Sequence, residues 1–355
     1  MTRSDETRVF VLDTPRGMAR ELTLAQAGLT AAAPQSGPAL SAALRERGVA
    51  AVVVTGAAGA WLDAVHARGW VTPAASFDLD AWLPAWQARL DDGHVPADAA
   101  LLAWPALPRL TWGDEPEPAP GAPRADAPLG LYAIVDTAPA LRRVLEAGVR
   151  TVQLRVKRPH DADAAWDTAL RGALRDSLAA AADHGALLFV NDHWRLAAEL
   201  GAPAVHLGQE DLLALDAAGR AELRASGLAL GVSSHAVWEL CRARGLAPRY
   251  VACGPVWPTT TKDMPWRPQG LDNLAWWCNV AGTPVVAIGG ILAPEQVRQA
   301  AACGAAGVCV LRGLGSDPRL TVAALQQAFE EGRQDALARV GRPEPRLHPT
   351  LDSAA

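Results

Sequence analysis

LLFVNDHWRLAAELGAPAVHL, residues 187–207, decides the fold. Four apolar residues, Leu187–Val190, are followed by Asn191-Asp192. A short helical stretch, Trp194–Leu200, ends at Gly201, and a second apolar run, Ala204–Leu207, follows at once. Apolar runs of this length without polar alternation suit parallel strands, whose two faces are both covered. The unit is strand, polar turn, helix, glycine, strand.

Outward from that unit the pattern repeats. Apolar runs at Leu131–Val135, Thr151–Leu154, Ala229–Val232, Tyr250–Cys253, Val285–Ile288 and Val308–Leu311 complete a set of eight predicted strands. Helix-like segments are expected at Ala138–Ala147, Ala164–His184, Leu212–Ser226, Ala236–Arg244, Leu271–Val280, Pro294–Cys303 and Thr321–Gly332. Gly148, Gly185, Gly201, Gly227, Gly245 and Gly304 follow helices, where a left-handed residue closes the last turn. Eight βα units in about 200 residues define the class α/β and the architecture of a closed (β/α)8 TIM barrel.

The rest of the chain divides around it. Residues 116–128 lie in a run rich in proline and acid, the expected linker. Residues 1–115 read as a small α/β region of unassigned role, in which Val52-Val-Val-Thr-Gly looks like a strand leading through a glycine turn into a helix; no Gly-Lys-Ser/Thr follows, so it is no P-loop. An oligomer or packing role there is as open as an activity, and a homo-oligomer is compatible with the sequence. The barrel is assigned 129–335, and 336–355 is expected to be a disordered tail.

Composition narrows the class. The chain has 355 residues and a formal charge of −5, which gives no electrostatic case for nucleic acid or an anionic membrane as partner. No apolar run reaches the roughly 18 residues of a membrane span, and no signal-peptide core is seen at the start. Five cysteines, an odd number without a Cys-x-x-Cys pair, argue for a reducing, cytoplasmic setting. The 33 basic residues include two lysines, Lys157 and Lys262. Where arginine serves nearly everywhere, a lysine marks a place for a compact ammonium.

Both lysines fall just beyond predicted strand ends, the edge of such a barrel where chemistry sits. Gln153-Leu154-Arg155-Val156-Lys157 sets an amide, a guanidinium fork and an ammonium on alternate residues, so 153, 155 and 157 share a face if the strand runs on. That set suits a diphosphate; the alternative is that the arginines are solvated rim residues. Asp192 and Asp211 end neighbouring strands. With no His or Cys beside them they suit Mg²⁺, while each alone also reads as a helix N-cap. Pro258-Thr259-Thr260-Thr261-Lys262 lies in a long loop, Gly254 to Gly270, whose hydroxyls and amides suit a phosphate. Gly289-Gly290 and the segment after the eighth strand occupy the usual phosphate position of these barrels. Two anion sites and one cation site describe an enzyme joining or splitting two phosphorylated small molecules.

These motifs, with Asn191-Asp192, Val205-His-Leu-Gly-Gln-Glu-Asp211, Gly231-Val-Ser-Ser-His235, Gly254-Pro-Val-Trp-Pro-Thr-Thr-Thr-Lys262 and Ala287-Ile-Gly-Gly-Ile291, resemble thiamine phosphate synthases in order and spacing over about 129–314. The resemblance implies condensation of an aminopyrimidine methyl diphosphate with a thiazole phosphate, giving thiamine phosphate and pyrophosphate with Mg²⁺ as cofactor. It assigns Gln153 through Lys157, with Asn191, to the pyrimidine diphosphate and Ser233 to the pyrimidine substrate. It assigns Asp192 and Asp211 to the metal, Thr259, Thr260 and Thr261 to the thiazole phosphate, Lys262 to the leaving diphosphate and Gly290 to the closing of the thiazole phosphate site. Lys157 and Lys262 would be the catalytic pair. The segment Leu311-Arg312-Gly313 departs from the small pair usual in the family. There Arg312 either clamps the thiazole phosphate or points outward. His206 and His235 are expected to be structural; His160, His184 and His193 to lie at the surface or at helix ends. Two other readings carry no synthesis: an inactive barrel sensing a phosphate ligand, and a thiazole tautomerase, which needs no diphosphate-metal site.

Overall fold

A computed structural model describes residues 7–23, 25–28, 36–56, 59–73, 78–114, 128–260, 264–338 and 347–351. They fall into two compact units: one takes in residues up to 121 with 236–246 and 348–355, the other 122–235 and 247–347.

The first unit is built on a six-stranded antiparallel sheet: β1 (Arg8–Leu12), β2 (Ala19–Leu22), β3 (Ala51–Gly56), β4 (Gly59–Ala64), β5 (Arg68–Thr72) and β6 (Arg109–Leu110), in the order β2-β1-β3-β4-β5-β6. The expected turn from β3 into a helix is instead a hairpin, with Gly56 paired to Gly59. Two glycines so close let the chain reverse on itself, and the alternating run Gly59–Ala64 continues the sheet. Helix α1 (Gly37–Glu46) packs on β3 and β4, with Leu40 and Leu44 joining Val9, Val11, Val52 and Val54. On the alternate strand positions Phe10 meets Trp82 of α2 (Leu79–Asp91) edge to face at 5.4 Å, and Trp86 stands 5.1 Å from Trp82. Trp61, Trp82, Trp86, Trp104 and Trp112 are buried, and Trp70 is half-buried. Helix α3 (Pro96–Leu102) and helix α9 (Val237–Arg244) pack together in this unit, where Asp98 accepts a hydrogen bond from the Trp238 backbone N–H at 2.9 Å. The expectation of a disordered tail is corrected within 347–351: Thr350 and Leu351 are buried, as an apolar anchor permits. Residues 339–346 and 352–355, like the linker over 115–127, lie outside the described residues.

The second unit holds the predicted barrel. Its strands are β7 (Gly130–Val135), β8 (Thr151–Leu154), β9 (Leu187–Asn191), β10 (Ala204–Leu207), β11 (Ala229–Ser234), β12 (Tyr250–Cys253), β13 (Val285–Ala287) and β14 (Gly307–Val310). All neighbours are parallel and the ring closes through β14 and β7. Around it lie α4 (Ala138–Glu146), α5 (Ala164–Asp183), α6 (Trp194–Glu199), α7 (Gln209–Leu213), α8 (Ala217–Ala225), α10 (Gly270–Val280), α11 (Pro294–Ala302) and α12 (Val322–Leu337). The helix expected over 212–226 is broken in two because Asp216 caps a new start, its carboxylate accepting from Gly219 N–H at 2.7 Å. Five of the six expected helix-ending glycines adopt positive φ. Gly245 does not, at φ −66°, and Ala247 takes the left-handed position instead. No helix of the described residues is long and apolar enough to cross a membrane.

Inside the ring the filling is aromatic. Tyr132, Phe189 and Tyr250 meet with centroids 5.2–5.8 Å apart, beside Ala204, Ala252 and Cys309. Gly231 makes the room: a β-carbon there would lie 2.4 Å from Tyr250 Cζ. Gly231→Ala is therefore expected to lower stability by about 1–3 kcal/mol through overpacking; chemical denaturation measures it. A second prediction concerns Asp98, whose carboxyl burial pushes up to about 7 despite the N–H groups at the start of α9. Between its unfolded value near 3.8 and about 7 the folded chain holds a proton that the unfolded chain has lost, so stability falls as pH rises through that window. Asp98→Asn should flatten the fall in a series of melting curves.

Candidate active site

The C-terminal ends of the barrel strands surround a cavity of about 180 Å³. Gln153, Arg155 and Lys157 all line it, so strand alternation continues past the end of β8 as expected. The intervening residues do not. Leu154 is buried away from the cavity, and the Val156 carbonyl accepts from His193 Nε2 at 2.8 Å. The two belong to the run by position, and their side chains lie outside the cavity lining. Arg158 is the rim residue: it pairs with Asp167 at 2.5 Å and lies over the Trp166 ring.

Asn191 and Asp192 end β9 and line the same cavity. Asp192 has φ 64°, a left-handed conformation that aspartate tolerates better than most residues, and its N–H donates to the His206 carbonyl at 3.0 Å. The Asp192 side chain makes no cap to α6; its Oδ2 accepts from Lys157 Nζ at 2.5 Å. Asp211 does cap. Its carboxylate accepts from Gly208 N–H at 2.8 Å in the first turn of α7 while lining the cavity. Burial raises the Asp211 carboxyl above its ordinary range, against the Gly208 hydrogen bond, and the Asp192 and Glu210 charges push the same way.

That last effect tests the site for a metal. Burial is the main cause of the raised Asp211 carboxyl, and the Asp192 and Glu210 charges add to it while the Lys157 ammonium works against it. A hard cation placed between Asp192 and Asp211 relieves it. Among the described residues no group of three or more His, Cys, Asp or Glu is arranged to hold a metal. Asp192 and Asp211 are hard oxygen donors on one cavity, a set compatible with a cation such as Mg²⁺ that takes the rest of its shell from water and phosphate.

The opposite side of the mouth is built from backbone. Gly290 lines the cavity at φ 72°, and a β-carbon there would lie 2.6–2.7 Å from Trp257 and Pro258. At Gly289 a β-carbon would lie 2.7 Å from Pro255. The glycine pair thus lets the loop after β12 lie directly on the end of β13. That loop is tied down by Gln269, whose Nε2 donates to the His235 carbonyl at 2.7 Å, and by Trp266 stacked on the His235 ring. Thr259 lines the cavity. Thr260 lies outside its lining, exposed, and accepts from Arg312 Nη1 at 3.0 Å. Thr261 and Lys262 lie outside the described residues. Leu311 and Arg312 line the cavity, so Arg312 turns toward the mouth and not away from it.

Ser233 lines the cavity from β11, and its Oγ lies 2.8 Å from His206 Nε2. Sequence reasoning set His206 aside as structural, yet it too lines the cavity. Its imidazole is pushed down to about 4, chiefly by burial, so it is neutral at ordinary pH. Tyr132 and Tyr250, behind it, were not singled out; a hydroxyl-bearing ring on an inward strand position is the signal that marks them.

A barrel mouth gathering an ammonium, two guanidinium groups, carboxylates and a glycine-lined loop defines an enzyme of phosphorylated small molecules. A family profile described as thiamine monophosphate synthase matches residues 131–314. The chain belongs to that family. A protein named thiamine-phosphate synthase from Neisseria meningitidis serogroup A is 44% identical over 207 residues, 58% of this chain and 96% of that protein. One of the same name from Rhizobium etli is 47% identical over 165 residues, 46% and 76% of the two chains. Among solved structures, a thiamine phosphate pyrophosphorylase from Pyrococcus furiosus aligns at 27% identity and TM-score 0.49, over 57% of this chain and 96% of that one.

Arg312→Ala should raise the KM for thiazole phosphate about tenfold, the loss expected of one charge-assisted hydrogen bond at a wet rim. Steady-state kinetics with the pyrimidine substrate saturating measures it. An unchanged KM would confine Arg312 to holding Thr260.

Proposed function

We propose that the chain is a thiamine phosphate synthase, joining 4-amino-2-methyl-5-(diphosphooxymethyl)pyrimidine to 4-methyl-5-(2-phosphooxyethyl)thiazole. The observation that carries the reading is the convergence of Gln153, Arg155 and Lys157 on the cavity that also holds Asp192 and Asp211. An amide for a heterocycle, two cations for a diphosphate and two carboxylates for a metal are the parts this substrate needs.

The reaction is a substitution at the pyrimidine methylene carbon. The C–O bond to diphosphate breaks, the thiazole nitrogen gives its lone pair to the carbon, and pyrophosphate leaves. Arg155 and Lys157 stabilise the negative charge that grows on the departing group. Lys262 is assigned the same task from the loop after β12. Mg²⁺, held by Asp192 and Asp211, supplies further neutralisation of the diphosphate when bound. Thr259, Thr260, Gly290 and Arg312 hold the thiazole phosphate, which places the nitrogen near the carbon and removes the entropy cost of encounter. The nucleophile carries its own lone pair, so no general base is required. The neutral, buried His206 agrees with that.

The partners in this reading are two phosphorylated small molecules, with neither nucleic acid nor membrane, in the cytoplasm; a homo-oligomer is compatible with it. The test is thiamine phosphate formation by the purified protein from both substrates, with and without Mg²⁺. Absence of product from folded protein in every condition would sink the synthase reading and leave a phosphate-ligand sensor or a thiazole tautomerase. Asp192→Asn keeps a residue that tolerates the left-handed backbone while removing the charge. Turnover is expected to fall at least about 100-fold, and retained activity would remove Asp192 from the metal site.

A further inference from the structure

Five side chains on five strands form one hydrogen-bonded line across the barrel interior. Gln153 Nε2 on β8 donates to the Tyr132 hydroxyl on β7 at 3.0 Å. The Tyr132 and Tyr250 hydroxyls are 3.0 Å apart. The Tyr250 hydroxyl on β12 lies 2.7 Å from His206 Nδ1 on β10, and His206 Nε2 lies 2.8 Å from Ser233 Oγ on β11. Both tyrosines are 1% exposed and Gln153 2%, so water does not repair a mismatch among them. Both ends, Gln153 and Ser233, line the cavity.

Each hydroxyl has one proton, and the neutral imidazole has one N–H. That arithmetic allows the line only two fully satisfied polarities. With the Gln153 N–H feeding Tyr132, the Tyr132 hydroxyl donates to Tyr250, Tyr250 to His206 Nδ1, and His206 Nε2–H to Ser233 Oγ. The Ser233 proton is then left to donate into the cavity, and Gln153 Oε1 is left to accept from it. The reverse polarity needs the amide turned over and inverts both ends together. A mixed line leaves a buried hydroxyl accepting twice with its own proton unpaired, or sets two protons or two lone pairs face to face, at a cost of about 1–3 kcal/mol.

We propose that Tyr132, Tyr250 and His206 are positioning residues that lock Ser233 as a donor and the Gln153 carbonyl as an acceptor, so that the pocket reads an aminopyrimidine and rejects the corresponding oxopyrimidine. An exocyclic amine is a donor and its ring neighbour nitrogen an acceptor, which complements this polarity. The oxo form presents a carbonyl and a ring N–H, the opposite pattern. The proposal deepens the synthase reading and rests on it for the identity of the ring.

The test uses the full chain with ¹⁵N-labelled histidine, Tyr250→Phe and Tyr132→Phe variants, and the 4-oxo analogue of the pyrimidine diphosphate as competitor. In the free wild type the ring-nitrogen signals should show His206 as the Nε2–H tautomer. Tyr250→Phe should mix the tautomers. Tyr132→Phe should leave the tautomer alone while freeing Gln153 to turn. In both variants the ratio of the oxo-analogue Ki to the pyrimidine KM should fall about tenfold, with the thiazole phosphate KM unchanged. Phenylalanine at two separate sites guards against one variant failing to fold. A wild type found as Nδ1–H, or variants that keep the full ratio, would overturn the relay. A wild type with the Nε2–H tautomer that makes no thiamine phosphate would sink the synthase reading and leave the relay standing.

Discussion

A closed ring of parallel strands has no edge and no room for loose solvent, so whatever its strands turn inward has to fill space and satisfy its own polar atoms. Here the filling is Tyr132, Phe189 and Tyr250, with Gly231 opposite Tyr250 to admit the ring. Aromatic area suits a packed interior, but two phenols without partners would not be tolerated there. The hydroxyls find each other, then Gln153 and His206, and through His206 reach Ser233 at the mouth. The satisfaction of the core and the shaping of the pocket are one hydrogen-bonded line.

Above that floor the mouth is balanced by charge. The chain carries a net −5, yet Arg155, Lys157 and Arg312 meet in one cavity with Asp192 and Asp211. The Lys157 ammonium is paired with the Asp192 carboxylate on the same rim. In the synthase reading proposed above, a diphosphate with its metal would offer each member of that pair a stronger partner, Lys157 to phosphate oxygen and Asp192 to the cation. A rim-exposed ion pair contributes little to stability, so its exchange for substrate contacts costs little.

What the sequence disclosed follows from the same physics. Strands of a parallel barrel are covered on both faces, so all eight stand out as apolar runs, and the residues just past them are the mouth by construction. That is why Lys157, Asp192 and Asp211 stand out by position, whereas Ser233 takes its role from the family resemblance. Tyr132 and Tyr250 were passed over because an inward tyrosine packs like any other core aromatic, and only its hydroxyl hints that it needs a partner. His206 was set aside for the same reason. The break between α7 and α8 was hidden because helical periodicity continues across it, and Asp216 acts as a cap only once the chain has turned. In residues 1–115 the glycines around β3 and β4 fit a hairpin and a strand-to-helix turn equally. The antiparallel partners that decide between them are distant in sequence.

His206 joins the two halves of the site more directly than any contact on the rim. Its ring lies 2.8 Å from the Ser233 hydroxyl, which lines the cavity. Its backbone carbonyl accepts the N–H of Asp192, fixing the residue whose φ of 64° swings a carboxylate toward Lys157. In the synthase reading, the group that reads the ring and the carboxylate assigned to the metal are therefore referenced to a single residue of β10. In a dissociative substitution the carbon and its leaving group separate along one line, and a small error in either end misaligns the incoming nitrogen. In the synthase reading, anchoring both ends to one strand residue, rather than to the loops around them, keeps that line fixed.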